Sequence, residues 1–129
     1  MSNNSEIVRG LYVAFDRGDV PAVLQALAPD VSWTEAEGFP YAGTYRGPDD
    51  VLKNVFMKLG TEWERFSAAP EEFVAEGDKV VALGLYSGAY KATGKKFSTP
   101  FAHVWTLREG KVVKFRQHTD TAVVQRALR

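Results

Sequence analysis

The sequence predicts an α+β fold in which a curved antiparallel sheet wraps as a cone around three N-terminal helices. Three observations carry this prediction. Apolar residues recur at helical spacing through the first half, the period changes to two after Pro70, and Gly-containing turns then join one strand to the next. A strand-rich half of this kind needs helices over one face, and a cover that curves the sheet encloses a pocket. At 129 residues the chain is long enough for one sizeable core, and a single domain over 1–129 is expected.

The first helix is expected from about Ser5 to Arg17, where Ile7, Leu11, Ala14 and Phe15 share a face and Gly18 supplies the stop. Asp19 is suited to cap a second short helix that tolerates Pro21 in its first turn, buries Val20, Val23, Leu24 and Leu27, and ends at Pro29. Val31 to Glu35 alternates as a strand does, and the Gly, Pro and Tyr residues from Gly38 to Gly47 predict a loop. Gly47-Pro48 opens a third helix whose buried stripe is Val51, Leu52, Val55, Phe56 and Leu59, with Trp63 and Phe66 continuing the apolar cover. Strands then follow near Glu72–Glu76, Lys79–Lys91, Lys96–Leu107 and Lys111–Thr119, and run to the end of the chain.

The last turn sets which side chains share a face. Glu109 is a poor residue for the positive φ of a two-residue hairpin, which favours a three-residue loop with Gly110 left-handed. His103 then faces Phe115, Phe101 faces Gln117 and Trp105 faces Val113, all six pointing inward. A three-residue turn at Ala92-Thr93-Gly94 would add Val81, Leu83 and Leu85 to that face. The outer face would carry Tyr86, Ala102, Val104, Thr106, Lys114, Arg116 and His118, a mixed surface suited to a homodimer or other partner.

Composition narrows the chemistry. Sixteen basic residues balance sixteen acidic ones, so no electrostatic footprint favours nucleic acid or an anionic membrane. No apolar stretch approaches the roughly 18 residues of a membrane span, and the polar start from Met1 to Glu6 lacks the features of a secretory signal, so a cytoplasmic location is expected. With no cysteine there is no disulfide, thiolate nucleophile or Cys-based zinc site. The two histidines, His103 and His118, are expected on opposite faces, which argues against a His-based metal site. Phosphate-binding and dinucleotide-binding Gly motifs are lacking, and Gly84 to Gly88 reads G-L-Y-S-G rather than a nucleophile elbow, so no cofactor is expected.

His103 and Gln117 are the polar groups on an otherwise apolar inner wall, either as plain core residues with satisfied hydrogen bonds or as donors that orient a small apolar ligand. Glu35 ends its strand at the mouth of the sheet. It either lies in solvent beside Glu37 or is enclosed by Trp33, Phe39 and Trp63, where desolvation would raise its pKa and suit it to shuttle a proton. The expected ligand wall comprises Tyr12, Trp33, Phe56, Trp63, Phe101, Trp105 and Phe115, each of which taken singly also reads as core.

Several short motifs resemble one family across nearly the whole chain. They are Arg17-Gly18-Asp19-Val20, the run from Leu27-Ala28-Pro29 to Trp33, Tyr45-Arg46-Gly47-Pro48, His103-Val104-Trp105 and Gly110-Lys111-Val112-Val113. Together they are similar to SnoaL-like and ketosteroid-isomerase-like proteins of the nuclear transport factor 2-like superfamily. The resemblance implies a cystatin-like α+β barrel, often dimeric through the outer sheet face. It also implies that the catalytic acid of ketosteroid isomerases falls on Glu35. Their oxyanion hole combines a first-helix Tyr with a protonated Asp. By the same resemblance the Asp position falls on His103 and the Tyr position near Leu11, one residue from Tyr12, which helical geometry turns about 100° off the pocket. SnoaL-type cyclases carry a Trp-Asp pair on the last strand where this chain has Arg116-Gln117, and Gln117 cannot act as a base. Asp120, three residues on, is expected to point away from Gln117. The Asp-Arg-Asp set of limonene-epoxide-hydrolase relatives is lacking.

Three functions stay open on these grounds. The first is an isomerase- or cyclase-like enzyme that moves a proton on a small hydrophobic carbonyl compound, with Glu35 as base and His103 and Gln117 as donors. The second is non-catalytic binding of a hydrophobic metabolite. The third is a dimeric interaction module.

Overall fold

A computed structural model describes residues 3–129, so Met1 and Ser2 of the predicted polar start lie outside the described residues. The chain order is α1 (Asn4–Asp16), α2 (Val20–Gln25), β1 (Leu27–Glu35), β2 (Gly43–Arg46), α3 (Pro48–Val51), a π-helical turn (Leu52–Phe56), α4 (Met57–Glu62), β3 (Trp63–Glu76), β4 (Lys79–Tyr90), β5 (Lys96–Arg108), β6 (Lys111–Thr119) and α5 (Thr121–Ala127). The six strands form one curved, unclosed sheet in the order β2-β1-β6-β5-β4-β3. Helices pack on its concave face, α1 against β3 and β4 and the Pro48–Glu62 run against β1 and β3.

The expected caps form. Gly18 is left-handed, Asp19 accepts from the Ala22 amide at 3.2 Å to start α2, and Pro48 occupies the first turn of α3 after a left-handed Gly47. The third predicted helix is one helical run interrupted by the π turn, in which the Met57 amide reaches back to the Leu52 carbonyl. Val55 and Phe56 of this turn both line the cavity.

Several expectations are corrected. The sheet is not wholly antiparallel, because β1 pairs with β6 in parallel, a geometry that a long helical crossover permits. Leu27 and Pro29 belong to β1 rather than to the second helix. The loop predicted over Gly38–Gly47 contains the short strand β2. Trp63 and Phe66 are not helical cover but lie in β3, which begins nine residues before the predicted Glu72. Pro70 does not break this strand, because β3 is an edge strand with a register shift between Pro70 and Glu72, where a missing N–H is tolerated. The chain ends in α5, capped by Asp120, rather than in a strand.

Both hairpin registers also differ. Tyr90 pairs through Lys95 across a four-residue loop, not a three-residue one, and this single residue turns β4 over. Val80, Ala82 and Tyr86 are therefore buried, whereas Val81, Leu83 and Leu85 face outward. At the last hairpin Arg108 pairs with Lys111, and Glu109 does take a positive φ of 51° beside Gly110 at 77°. A register shift between Thr106 and Leu107 then sets His103 against Gln117 and Trp105 against Phe115. This shift buries Val112 in place of Val113 but leaves Phe101, His103, Trp105, Phe115 and Gln117 inside as expected. The outward set Ala102, Val104, Thr106, Lys114, Arg116 and His118 is likewise found together.

Candidate functional site

The interior of the sheet holds a cavity walled by aromatic side chains. Trp33 of β1, Tyr12 of α1, Phe56 of the π turn, Trp105 of β5 and Phe115 of β6 line it, together with Leu11, Phe15, Phe39, Val55 and Leu59. The space left between them is about 30 Å³, room for a water or two, so a larger ligand must displace side chains. Phe15, Phe56, Leu59, Phe66 and Ala68 also line an outer hollow of about 270 Å³ and form the partition between the two. Of the remaining predicted wall residues, Trp63 lines that hollow, and Phe101 stacks behind His103 with ring centres 4.1 Å apart.

Four polar groups reach the cavity from the sheet: Glu35, Tyr86, His103 and Gln117. Alternation along β1 buries Val31, Trp33 and Glu35 on one side. Glu35 is only 5 % exposed and takes a hydrogen bond from Trp33 Nε1 at 2.8 Å. Burial pushes its pKa up to about 7, against a smaller lowering by the Trp33 bond. Phe39 lies on the same cavity wall, whereas Trp63 stands apart, donating to the Tyr41 hydroxyl at 3.0 Å.

Two strands along the sheet from Glu35, with Gln117 of β6 between them, His103 is held between two phenols. Tyr12 Oη lies 2.6 Å from Nδ1 and Tyr86 Oη lies 2.5 Å from Nε2. Trp105 Nε1 donates to Tyr12 Oη at 3.0 Å, and Gln117 Nε2 donates to Tyr86 Oη at 2.9 Å. The Gln117 carbonyl oxygen accepts the Ala36 amide at 2.9 Å. Burial, with a smaller contribution from His118, drives the His103 pKa down to about 3, so the ring is neutral. Burial also raises both tyrosines, so both remain phenols.

Tyr12 therefore points into the cavity, contrary to the expected 100° displacement. Helix α1 buries Val8, Leu11 and Tyr12 together, and both Leu11 and Tyr12 reach the lining. Sequence reasoning missed Tyr86 and placed it outside. The one signal that would have found it was the four-residue count of the Lys91–Gly94 loop. Asp120 caps α5 by accepting from the Ala122 and Val123 amides and takes no part in the cavity lining. Among the described residues no three His, Cys, Asp or Glu side chains converge as metal ligands, and no helix is long and apolar enough to cross a membrane.

The SnoaL-like domain model matches residues 8–115, most of the chain and nearly all of this site. The chain belongs to the SnoaL-like family. An NTF2-like protein from Burkholderia thailandensis is 43% identical, with a TM-score of 0.96 and coverage of 100% of this chain and 99% of that one. An NTF2-like protein of unknown function from Burkholderia pseudomallei is 38% identical with a TM-score of 0.90, each chain covered to 98%. TerC, whose structure was determined co-crystallised with polyporic acid, is 28% identical with a TM-score of 0.87 and 98% coverage of both chains. The fold is thus shared with these proteins, whereas the set of Glu35, Tyr12, Tyr86, His103 and Gln117 is read from this chain itself.

Proposed function

We propose that this SnoaL-like protein moves a proton on a small, largely apolar carbonyl compound inside the aromatic cavity, in an isomerase- or cyclase-like reaction. The observation that carries this reading is Glu35, a carboxyl enclosed at the cavity wall with its pKa raised to about 7. An acid held near neutrality can take a proton from carbon and return it without a large energetic mismatch. A tyrosine hydroxyl on the cavity wall would stabilise the oxyanion that develops as the C–H bond breaks. In this scheme His103 and Gln117 act through Tyr12 and Tyr86, because both imidazole nitrogens face phenols. The co-crystallisation of TerC with polyporic acid supports an organic ligand in a protein of this shape.

The test is exchange of α-hydrogens of small apolar ketones for deuterium, followed by proton NMR. Glu35→Gln is expected to slow the catalysed exchange by at least about 100-fold. Exchange at the wild-type rate in Glu35→Gln would reject the assignment, and a panel bound without any exchange would favour non-catalytic binding of a metabolite.

A homodimer through the outer sheet face is a second proposal, favoured by the turned register of β4. Val81, Leu83 and Leu85 lie on that face with Val104, and Leu85 is 39 % exposed. Leu85→Lys is expected to convert a dimer to monomer in sedimentation, and a wild-type chain that sediments as a monomer at micromolar concentration would reject it.

A further inference from the structure

The hydrogen-bond network around His103 can be counted proton by proton. An indole nitrogen can only donate, so Trp105 gives its hydrogen to Tyr12 Oη. The Ala36 amide fixes the oxygen end of Gln117, so its nitrogen gives a hydrogen to Tyr86 Oη. Each phenol oxygen therefore already receives one N–H before His103 is considered. A neutral imidazole has one N–H and one lone pair. One phenol must give its hydrogen to the ring, and the other must receive the ring hydrogen. The receiving phenol oxygen then accepts two N–H groups, and its own hydrogen finds no acceptor within the cluster.

We propose that His103 is a positioning residue that presents one free phenol hydrogen to the cavity, on Tyr86 when the ring is protonated at Nε2 and on Tyr12 when it is protonated at Nδ1. Both tyrosines line the cavity, so either position can meet a ligand. The corresponding ligand has an apolar body and one hydrogen-bond acceptor, a carbonyl or enolate oxygen, directed at that part of the wall. The remaining hydrogen on Gln117 Nε2, whose first goes to Tyr86 Oη, is the other donor the cluster can offer such a ligand. This deepens the proton-transfer reading and rests on it, since it names the donor that shares the cavity with Glu35. The low pKa of His103 agrees with the neutral ring the count requires.

Histidine labelled with ¹⁵N, observed by long-range proton–nitrogen NMR in the ligand-free protein, tests this without any turnover, with His118→Gln assigning the second ring. In the wild type, His103 is expected to show one protonated and one unprotonated nitrogen from about pH 5 to about pH 8. Two protonated nitrogens in that range would overturn the proposal, because an imidazolium would free both phenol hydrogens. In Tyr86→Phe the ring hydrogen is expected on Nδ1, and in Tyr12→Phe on Nε2, since a buried N–H keeps the partner that remains. The tautomer ratio should change by at least about tenfold between the two variants. The same tautomer in both would also overturn it. Unaltered exchange in Glu35→Gln would reject the proton-transfer reading alone and leave this result standing.

Discussion

Glu35 and His103 occupy the same cavity and are pushed in opposite directions by the same cause. Desolvation disfavours whichever form is charged, so the carboxyl holds its proton up to about pH 7 and the imidazole refuses one down to about pH 3. Near neutral pH the site thus combines an acid that can gain or lose a proton with a ring that cannot gain one. Elsewhere, two described residues other than glycine, Arg65 and Glu109, are held at positive φ. Glu109 adopts φ 51° in the β5–β6 turn, a left-handed geometry that Asn tolerates better. Glu109→Asn is expected to stabilise the fold by about 1 kcal/mol, read as a raised urea midpoint with an unchanged slope. No gain would mean that the hairpin does not depend on a type I′ turn there.

At the scale of elements, β3 comes so close to β4 at Gly84 that the position leaves no room for a Cβ. A Cβ at Gly84 would lie 2.2 Å from the Ala69 carbonyl oxygen and 2.8 Å from the Pro70 Cα, both backbone atoms that cannot rotate away. The register shift next to Pro70 is paired to this point, with Pro70 opposite Gly84. Gly84→Ala should therefore destabilise by about 2–3 kcal/mol despite a permissive φ, measurable by denaturant titration. The π turn has a comparable positional role on the helical side. Its consecutive residues Val55 and Phe56 both line the cavity, as Leu11 and Tyr12 of α1 do.

For the whole molecule, the two shifted groups shape stability against pH. The folded chain keeps the Glu35 proton that the unfolded chain loses above its ordinary pKa of 4.5, so stability falls as pH rises from 4.5 to about 7. His103 works the other way. The unfolded chain binds a proton below 6.5 that the folded chain refuses until about 3, so stability falls as pH drops through that range. Where the two windows overlap, from 4.5 to 6.5, their slopes oppose each other and a plateau is expected. Glu35→Gln should remove the alkaline fall and exceed wild type by up to about 3 kcal/mol above pH 7, with little difference near pH 4. Urea titrations at several pH values check this, and equal stabilities above pH 7 would show that Glu35 ionises without penalty.

Local periodicity determined the fold class, the caps at Asp19 and Pro48, and the inward placement of His103, Trp105, Phe115 and Gln117, because each depends on neighbours within a few residues, whereas the choice between a solvated and an enclosed Glu35 was left to the structure. The same residues let Glu35 and His103 be singled out before their surroundings were visible. Loop lengths and long-range pairing were decided only by the tertiary structure. One extra residue in the Lys91–Gly94 loop turned all of β4 over, which brought Tyr86 into the cavity and sent Val81, Leu83 and Leu85 outward. The parallel β1–β6 pair, the start of β3 at Trp63 and the closing helix α5 likewise depend on contacts between distant segments. Period-two alternation is identical for either face of a strand, so the sequence defined the two sets of side chains, and packing chose which set met His103.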